Sequence, residues 1–179
     1  MEQLIQVRDK QFRLFIEESR IQEEIARIAE RMNRELAGKD PIFLGILNGA
    51  FMFASDLYKQ LRFPCQITFL KLASYSGTRS SGTVKQLIGI NLDIKDRVVV
   101  VLEDIVDSGI TLDTIIRQLS GYGPSELRVA TLLHKPEATV RQVSLDYVGM
   151  EIPNDFILGY GLDYDGYGRN FREIYQLVG

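Results

Sequence analysis

Along residues 19–36 the apolar side chains Ile21, Ile25, Ile28, Ala29, Met32 and Leu36 recur at three- and four-residue steps. Glu23, Glu24, Arg27, Glu30 and Arg31 fall mostly on the opposite face. That spacing predicts an amphipathic helix, opened by Ser19 as N-cap and closed by the Gly-Lys-Asp run at 38–40. PIFLGIL (41–47) predicts a short buried strand, and the following Asn-Gly-Ala turns the chain into a second amphipathic helix over 49–61. CQITFLKLASY (65–75) predicts a strand with partial alternation. Residues 97–102 form the third strong strand, all Val and Leu after Arg97, as expected of a strand covered on both faces. Helical spacing returns at 111–119 (Leu112, Ile115, Ile116, Leu119) and stops at Gly-Tyr-Gly-Pro. ELRVATLLH (126–134) and DYVGMEI (146–152) predict two further strands.

Strands alternating with helices imply an α/β fold, a mostly parallel twisted sheet flanked by helices. No internal repeat, linker or second domain interrupts the pattern, so one domain is expected over 1–179. Two stretches lack periodicity. SGTRSSGTVK (76–85) is rich in Ser, Gly and Thr and predicts a long mobile loop or hairpin tip. Loops of that size in compact domains are often lids, although a merely floppy hairpin has the same composition. FILGYGLDYDGYGRNF (156–171) is rich in glycine and tyrosine and shows little regular pattern.

Composition narrows the function classes. The chain has 179 residues, 45% of them hydrophobic, enough for one substantial core. A net charge of −3 argues against nonspecific nucleic-acid binding through a broad basic surface. Cys65 is the single cysteine, which excludes an intrachain disulfide and any multi-cysteine zinc site. Its apolar strand setting predicts a buried, inert thiol. His134 is the single histidine and reads as local packing. The N-terminus carries charges throughout and does not read as a signal peptide, and no apolar run is long enough for a membrane helix. A cytoplasmic protein is the simplest expectation.

The stretch with chemical content is VVVVLEDIVDSGITL (98–112), which begins as a strand and ends as a helix. In open α/β sheets ligands bind at the carboxyl ends of strands, and a loop over 104–109 would lie there. The amides entering the helix and the hydroxyls of Ser108 and Thr111 suit a phosphate, and Gly109 allows close backbone approach. Glu103, Asp104 and Asp107 would repel a bare phosphate but accept hydrogen bonds from sugar hydroxyls, with a divalent cation to relieve the charge. A phosphorylated sugar satisfies both halves. Acidic helix-capping residues in a βα loop are the plainer reading, but three acids followed by Ser-Gly-Ile-Thr exceed what capping needs. Neither a P-loop nor a dinucleotide fingerprint is present.

This stretch resembles the phosphoribosyl-pyrophosphate motif of the type I phosphoribosyltransferases, in the form found in hypoxanthine-guanine phosphoribosyltransferases, where the acid at Asp107 is the discriminating letter. LLHKPEA (132–138), the segment 148–170 and LNGAFMFASDL (47–57) resemble other active-site segments of that family, in the same order. The resemblance implies a type I phosphoribosyltransferase fold with a small hood built from the N- and C-terminal segments and a mobile lid. It implies transfer of phosphoribose to hypoxanthine, and also guanine, with Mg²⁺. By resemblance, Glu103 and Asp104 hold the ribose hydroxyls directly or through Mg²⁺. The segment Asp107, Ser108, Gly109, Ile110 and Thr111 cradles the 5′-phosphate, and Asp107 is the acid/base beside purine N7. Lys135 donates to the 6-oxo group, Phe156 stacks on the purine, and backbone atoms of Ile157 and Asp163 meet the base edge. Asp163 also binds a second Mg²⁺. Leu47, Asn48, Gly49 and Arg169 bind pyrophosphate, with a non-proline cis peptide before Asn48. Ser74 and Tyr75 belong to the lid. Asn48 departs from the lysine many relatives carry, which removes a positive charge. Relatives are commonly dimers or tetramers. A nucleotide-sensing regulator of the same fold and a xanthine-preferring enzyme are the alternatives. Asp107, Lys135 and Phe156 argue against the first, while Lys135 suits any 6-oxopurine.

Overall fold

The computed structural model describes residues 4–75 and 84–178. The chain opens with a hairpin, β1 (Leu4–Val7) and β2 (Lys10–Ile16), followed by helix α1 (Glu18–Glu35). Strand β3 (Ile42–Ile46), helix α2 (Phe51–Tyr58), β4 (Gln66–Tyr75), β5 (Val84–Ile88) and β6 (Val98–Val106) come next. Helix α3 (Ile110–Ser120), β7 (Glu126–His134), β8 (Tyr147–Glu151), β9 (Ile157–Leu158) and β10 (Ile174–Leu177) complete the order. The larger sheet runs β5-β4-β3-β6-β7-β8, parallel from β4 to β8, with β5 antiparallel at one edge. A second, antiparallel sheet runs β1-β2-β10-β9 and joins the two ends of the chain.

Strand β6 lacks alternation because both its faces are covered. Val100 and Leu102 pack in the core beneath α1 and α2, with Ile25, Met32, Phe53 and Leu57. Val99 and Val101 pack on the other face against Leu112, Ile115 and Leu119 of α3. The small sheet closes around Val7, Phe12, Leu158 and Tyr175. Ile16, Ile157, Tyr160 and Ile174 continue into the main core, so the small sheet is packed against the large one rather than tethered to it.

Helix α1 buries Ile21, Ile25, Ile28, Ala29 and Met32, the face its periodicity specified. Polar contacts then fix it on β8. Arg31 donates to the Asp146 carbonyl at 2.6 Å, and Arg27 donates to the carbonyls of Val148 and Gly149 at 2.7 and 3.0 Å. Tyr147 is fully buried, yet its hydroxyl donates to Glu35 at 2.8 Å and accepts from Arg128 at 2.7 Å.

Several expectations need correction. Helix α1 begins at Glu18 with Glu17 as N-cap, and no side chain caps it, so Ser19 lies inside the first turn. Helix α2 is shorter at both ends than 49–61, because 47–50 form a turn and 59–61 leave the helix in tighter turns. Strand β6 continues through Glu103 and Asp104 to Val106, so these acids sit in the strand rather than in a loop after it. The N-terminal hairpin and the short strand at 157–158 had no periodicity long enough to announce them. Cys65 precedes β4 and is half-buried rather than enclosed; burial still pushes its thiol pKa up, which keeps it inert. Of the expected lid, 76–83 lie outside the described residues, while the backbone of 84 and 85 is already in β5. Among the described residues no helix is long and apolar enough to cross a membrane.

The Tyr147 hydroxyl bridges two charged partners that already contact each other at 2.9 Å. Tyr147→Phe should therefore cost about 1.5–3 kcal/mol, the net worth of hydrogen bonds to charged groups. Urea unfolding should show a lower midpoint with unchanged slope.

Candidate active site

The carboxyl ends of β3 and β6 and the start of α3 enclose a cavity of about 320 Å³. Leu47 and Gly49 form one wall, Glu103 and Asp104 the floor, and the loop from Asp107 to Thr111 the other wall. The last of these is shaped from behind. The amides of Val140 and Arg141 both donate to the Ser108 carbonyl at 2.9 Å. Gly109 adopts φ +78°, and a β-carbon there would overlap the Arg141 carbonyl, so only glycine fits. Helix α3 starts immediately afterwards, at Ile110. Its first-turn amides have no acceptors within the helix, and its dipole places positive potential at the cavity.

The floor is acidic and poorly hydrated. Glu103 is only 7% exposed, and burial holds its carboxyl well above the usual carboxylate range, with the charge of Asp104 adding to the effect. Burial likewise raises Asp104 to about 6, against the opposing hydrogen bond from the Ile105 amide at 2.8 Å. The backbone of Gly49 lies directly on the Asp104 carboxylate, where any β-carbon would overlap Oδ2. Gly161 in turn lies on the Gly49 carbonyl and is equally intolerant of a β-carbon. The peptide between Leu47 and Asn48 is cis. Asn48 is exposed beside this turn.

Beyond the floor, the buried Lys135 places Nζ 3.5 Å from Asp107 Oδ2, while Asp107 remains exposed. Phe156 is 46% exposed, with one edge supported by Tyr164 (centroids 5.8 Å apart, 86°) and by Phe12 at 6.3 Å. Ile157 is buried in β9. Asp163 and Arg169 pair with each other at 2.6 Å, and Arg169 also donates to the Gly161 carbonyl at 2.6 Å. Asp163 additionally accepts from the Gly166 amide at 2.7 Å. Ser74 and Tyr75 end β4, on the strand beside β3. His134 lies apart from this chemistry, with Nε2 3.4 Å from the Thr139 hydroxyl and Nδ1 3.8 Å from Glu151. Residues that the sequence did not single out are Ile46 and Leu72, which line the cavity, and Gly161. Gly161 was one of several glycines in a segment without period, and only its contact with Gly49 distinguishes it.

Comparison with known proteins gives the family. The phosphoribosyl transferase domain family matches residues 16–165. The chain belongs to that family. It is 44% identical over 161 residues to a hypoxanthine-guanine phosphoribosyltransferase of Mycobacterium bovis, covering 86% of this chain and 80% of the relative. A hypoxanthine-guanine phosphoribosyltransferase of Lactococcus lactis is 35% identical over 163 residues, covering 90% and 87%. The crystal structure of a hypoxanthine-guanine phosphoribosyltransferase from Bacillus anthracis superimposes with a TM-score of 0.82 at 32% identity, covering 93% of this chain and 96% of that one. The hypoxanthine phosphoribosyltransferase of Trypanosoma cruzi gives 0.84 at 30% identity, covering 97% and 95%.

For this phosphoribosyltransferase the buried floor has a measurable thermodynamic signature. Asp104 has its pKa raised from about 3.9 unfolded to about 6 folded. The folded state therefore binds the extra proton between those values, and this contribution to stability fades as pH rises from about 4 to 6. Asp104→Asn should raise stability at pH 7–8 by about 1–2 kcal/mol, discounted for partial exposure, and flatten that fall. Urea melts across pH 4–8 in chelator check it. Gly49→Ala should act oppositely, costing about 1–3 kcal/mol through overpacking at any pH in that range.

Proposed function

We propose that the enzyme transfers the 5-phosphoribosyl group of phosphoribosyl pyrophosphate to N9 of hypoxanthine, and also of guanine, releasing pyrophosphate. The observation that carries this reading is the 3.5 Å pairing of Lys135 with Asp107 beside the acid-floored cavity. A lysine donor and a carboxylate acceptor side by side match the edge of a 6-oxopurine, which offers an oxygen acceptor and, at N7, a site for a proton. Adenine would meet the lysine with an amino group instead.

In the reaction the bond from the anomeric carbon to the pyrophosphate oxygen breaks as the purine nitrogen attacks. Asp107 holds or takes a proton at N7 while the N9 bond forms, a task that needs a carboxylate within hydrogen-bond reach of the ring. Phe156 presents a half-exposed face on which the purine stacks, and its two aromatic neighbours keep it from rotating away. The loop from Ser108 to Thr111 and the first amides of α3 hold the 5′-phosphate. The Gly49 backbone and Arg169 hold pyrophosphate, with Asp163 keeping the guanidinium in place until the ligand arrives. Positive charge that develops on the ribose is stabilised by the nearby carboxylates.

Glu103, Asp104 and Asp163 fit Mg²⁺ by chemistry, being hard oxygen donors. Glu103 has no hydrogen-bonding partner among the described residues, which leaves its oxygens for a ligand, a hydroxyl or a cation. Among the described residues no cluster of three or more metal-binding side chains forms a closed cage. A cation there would be held by one or two carboxylates together with substrate oxygens and water. When bound, Mg²⁺ would neutralise the pyrophosphate charge.

The test is nucleotide formation with Mg²⁺ and each of hypoxanthine, guanine, xanthine and adenine. Hypoxanthine and guanine should turn over, with adenine inert. Asp107→Asn should lower kcat by about 10²–10⁴-fold, the usual worth of an acid/base group, with phosphoribosyl-pyrophosphate affinity little changed. No turnover by folded protein that still binds phosphoribosyl pyrophosphate would favour a regulator of the same fold.

A further inference from the structure

A buried polar contact outside the cavity ties the helix behind its Gly49 wall to the segment that carries Arg169. Tyr160 is 2% exposed and has φ +49°, between Gly159 at +103° and Gly161 at +96°. A residue with a β-carbon adopts that conformation only when its surroundings hold it there. Two contacts do so: the Tyr160 amide donates to the Phe171 carbonyl at 2.9 Å, and the hydroxyl donates to Asp56 Oδ2 at 2.5 Å. Burial and the Asp56 carboxylate both push the phenol pKa far up, so the hydroxyl remains a donor at any working pH.

Asp56 lies on α2, the helix that follows the Leu47–Asn48–Gly49 turn. It also accepts from Gln22 of α1 at 3.0 Å and pairs with Lys59 at 2.7 Å. Consecutive residues therefore grip one unit at two points: Tyr160 holds the helix and Gly161 rests on the Gly49 carbonyl. Eight residues further on, Arg169 donates to the Gly161 carbonyl.

We propose that Tyr160 and Asp56 form a positioning pair for the pyrophosphate end of the site, fixing the separation between the Gly49 backbone and Arg169. This rests on the assignment of pyrophosphate to those two residues. Neither residue of the pair hydrogen-bonds Lys135, Asp107 or Phe156. Lys135 and Asp107 stand on the carboxyl ends of β7 and β6, and the Phe156–Ile157 segment is held through β9 by its pairing with β10. The pair therefore acts chiefly on pyrophosphate and phosphoribosyl pyrophosphate; of the residues assigned to the base, Asp163 alone shares its segment, through the ion pair with Arg169.

Tyr160→Phe removes the hydroxyl but keeps the buried ring, and Asp56 keeps Gln22 and Lys59. The KM for pyrophosphate in the reverse reaction and for phosphoribosyl pyrophosphate in the forward one should each rise at least fivefold. Those for hypoxanthine and its nucleotide should move less than twofold. Asp56→Asn, which retains an acceptor, should stay within twofold of the native enzyme for all four, and Asp56→Ala should copy Tyr160→Phe. Lys59→Ala removes a contact to the other oxygen of the same carboxylate and should leave the pattern unchanged. Unchanged constants in Tyr160→Phe would overturn the pair, and so would equal rises for pyrophosphate and base, which indicate general loosening. If the native protein itself forms no nucleotide, the functional reading falls first and the pair with it. If the native protein is active, the split alone decides.

Discussion

The backbone of Gly49 lies on the Asp104 carboxylate with no room for a methyl group between them, and the rest of the site is arranged around that contact. It requires residue 49 to be glycine, and it holds 47–50 in a turn so that α2 begins only at Phe51. It also brings Gly161 onto the far side of the same peptide. Three segments distant in sequence thus stand in file, each placed by the absence of a side chain in the next. Because the approach is backbone to carboxylate, little water remains around Asp104, and its affinity for protons rises accordingly.

That desolvation explains why the acids are where they are. A carboxylate in a half-buried strand end is poorly solvated before ligand arrives, so hydroxyls or a cation replace little hydration when they bind. Opposite it, the loop from Asp107 to Thr111 is held by Val140 and Arg141 from outside the cavity, so its amides are aimed without help from the ligand. Buried carboxylates dominate one side of the cavity, and free amides and hydroxyls the other. A molecule with hydroxyls near one end and a phosphate at the other completes both. The local loss of stability is offset by the two cores on either face of β6.

Much of this was legible in the chain. The long helix face from Ile21 to Met32 and the fully apolar strands have periods or run lengths that only one structure satisfies. The loop expected over 104–109, found at 107–109, was legible because acids, hydroxyls and glycine together have few uses at a strand end. The boundary of β6 was not, since Glu103 and Asp104 look like loop residues until the close approach of Gly49 gives them an environment. The four-residue β1 and two-residue β9 are too short for any period to establish itself, and pairing across the chain defines them instead. Tyr160 gave no clue either, because its partner Asp56 is 104 positions away and sits in an ordinary amphipathic helix.

Strand β10 lies between β2 and β9, so the earliest and latest parts of the chain share one small sheet. Arg13 of β2 donates to Gln176 of β10, a separation of 163 residues. During biosynthesis β2 therefore waits, with one edge open, until β10 has been made. The helices and the parallel strands can assemble earlier from nearer neighbours, whereas β9, and with it the seat of Phe156, is fixed only by this last addition. The loop from Asp107 to Gly109 is thus built well before the segment that carries Phe156, and the two sides of the proposed site form in the order of their strands.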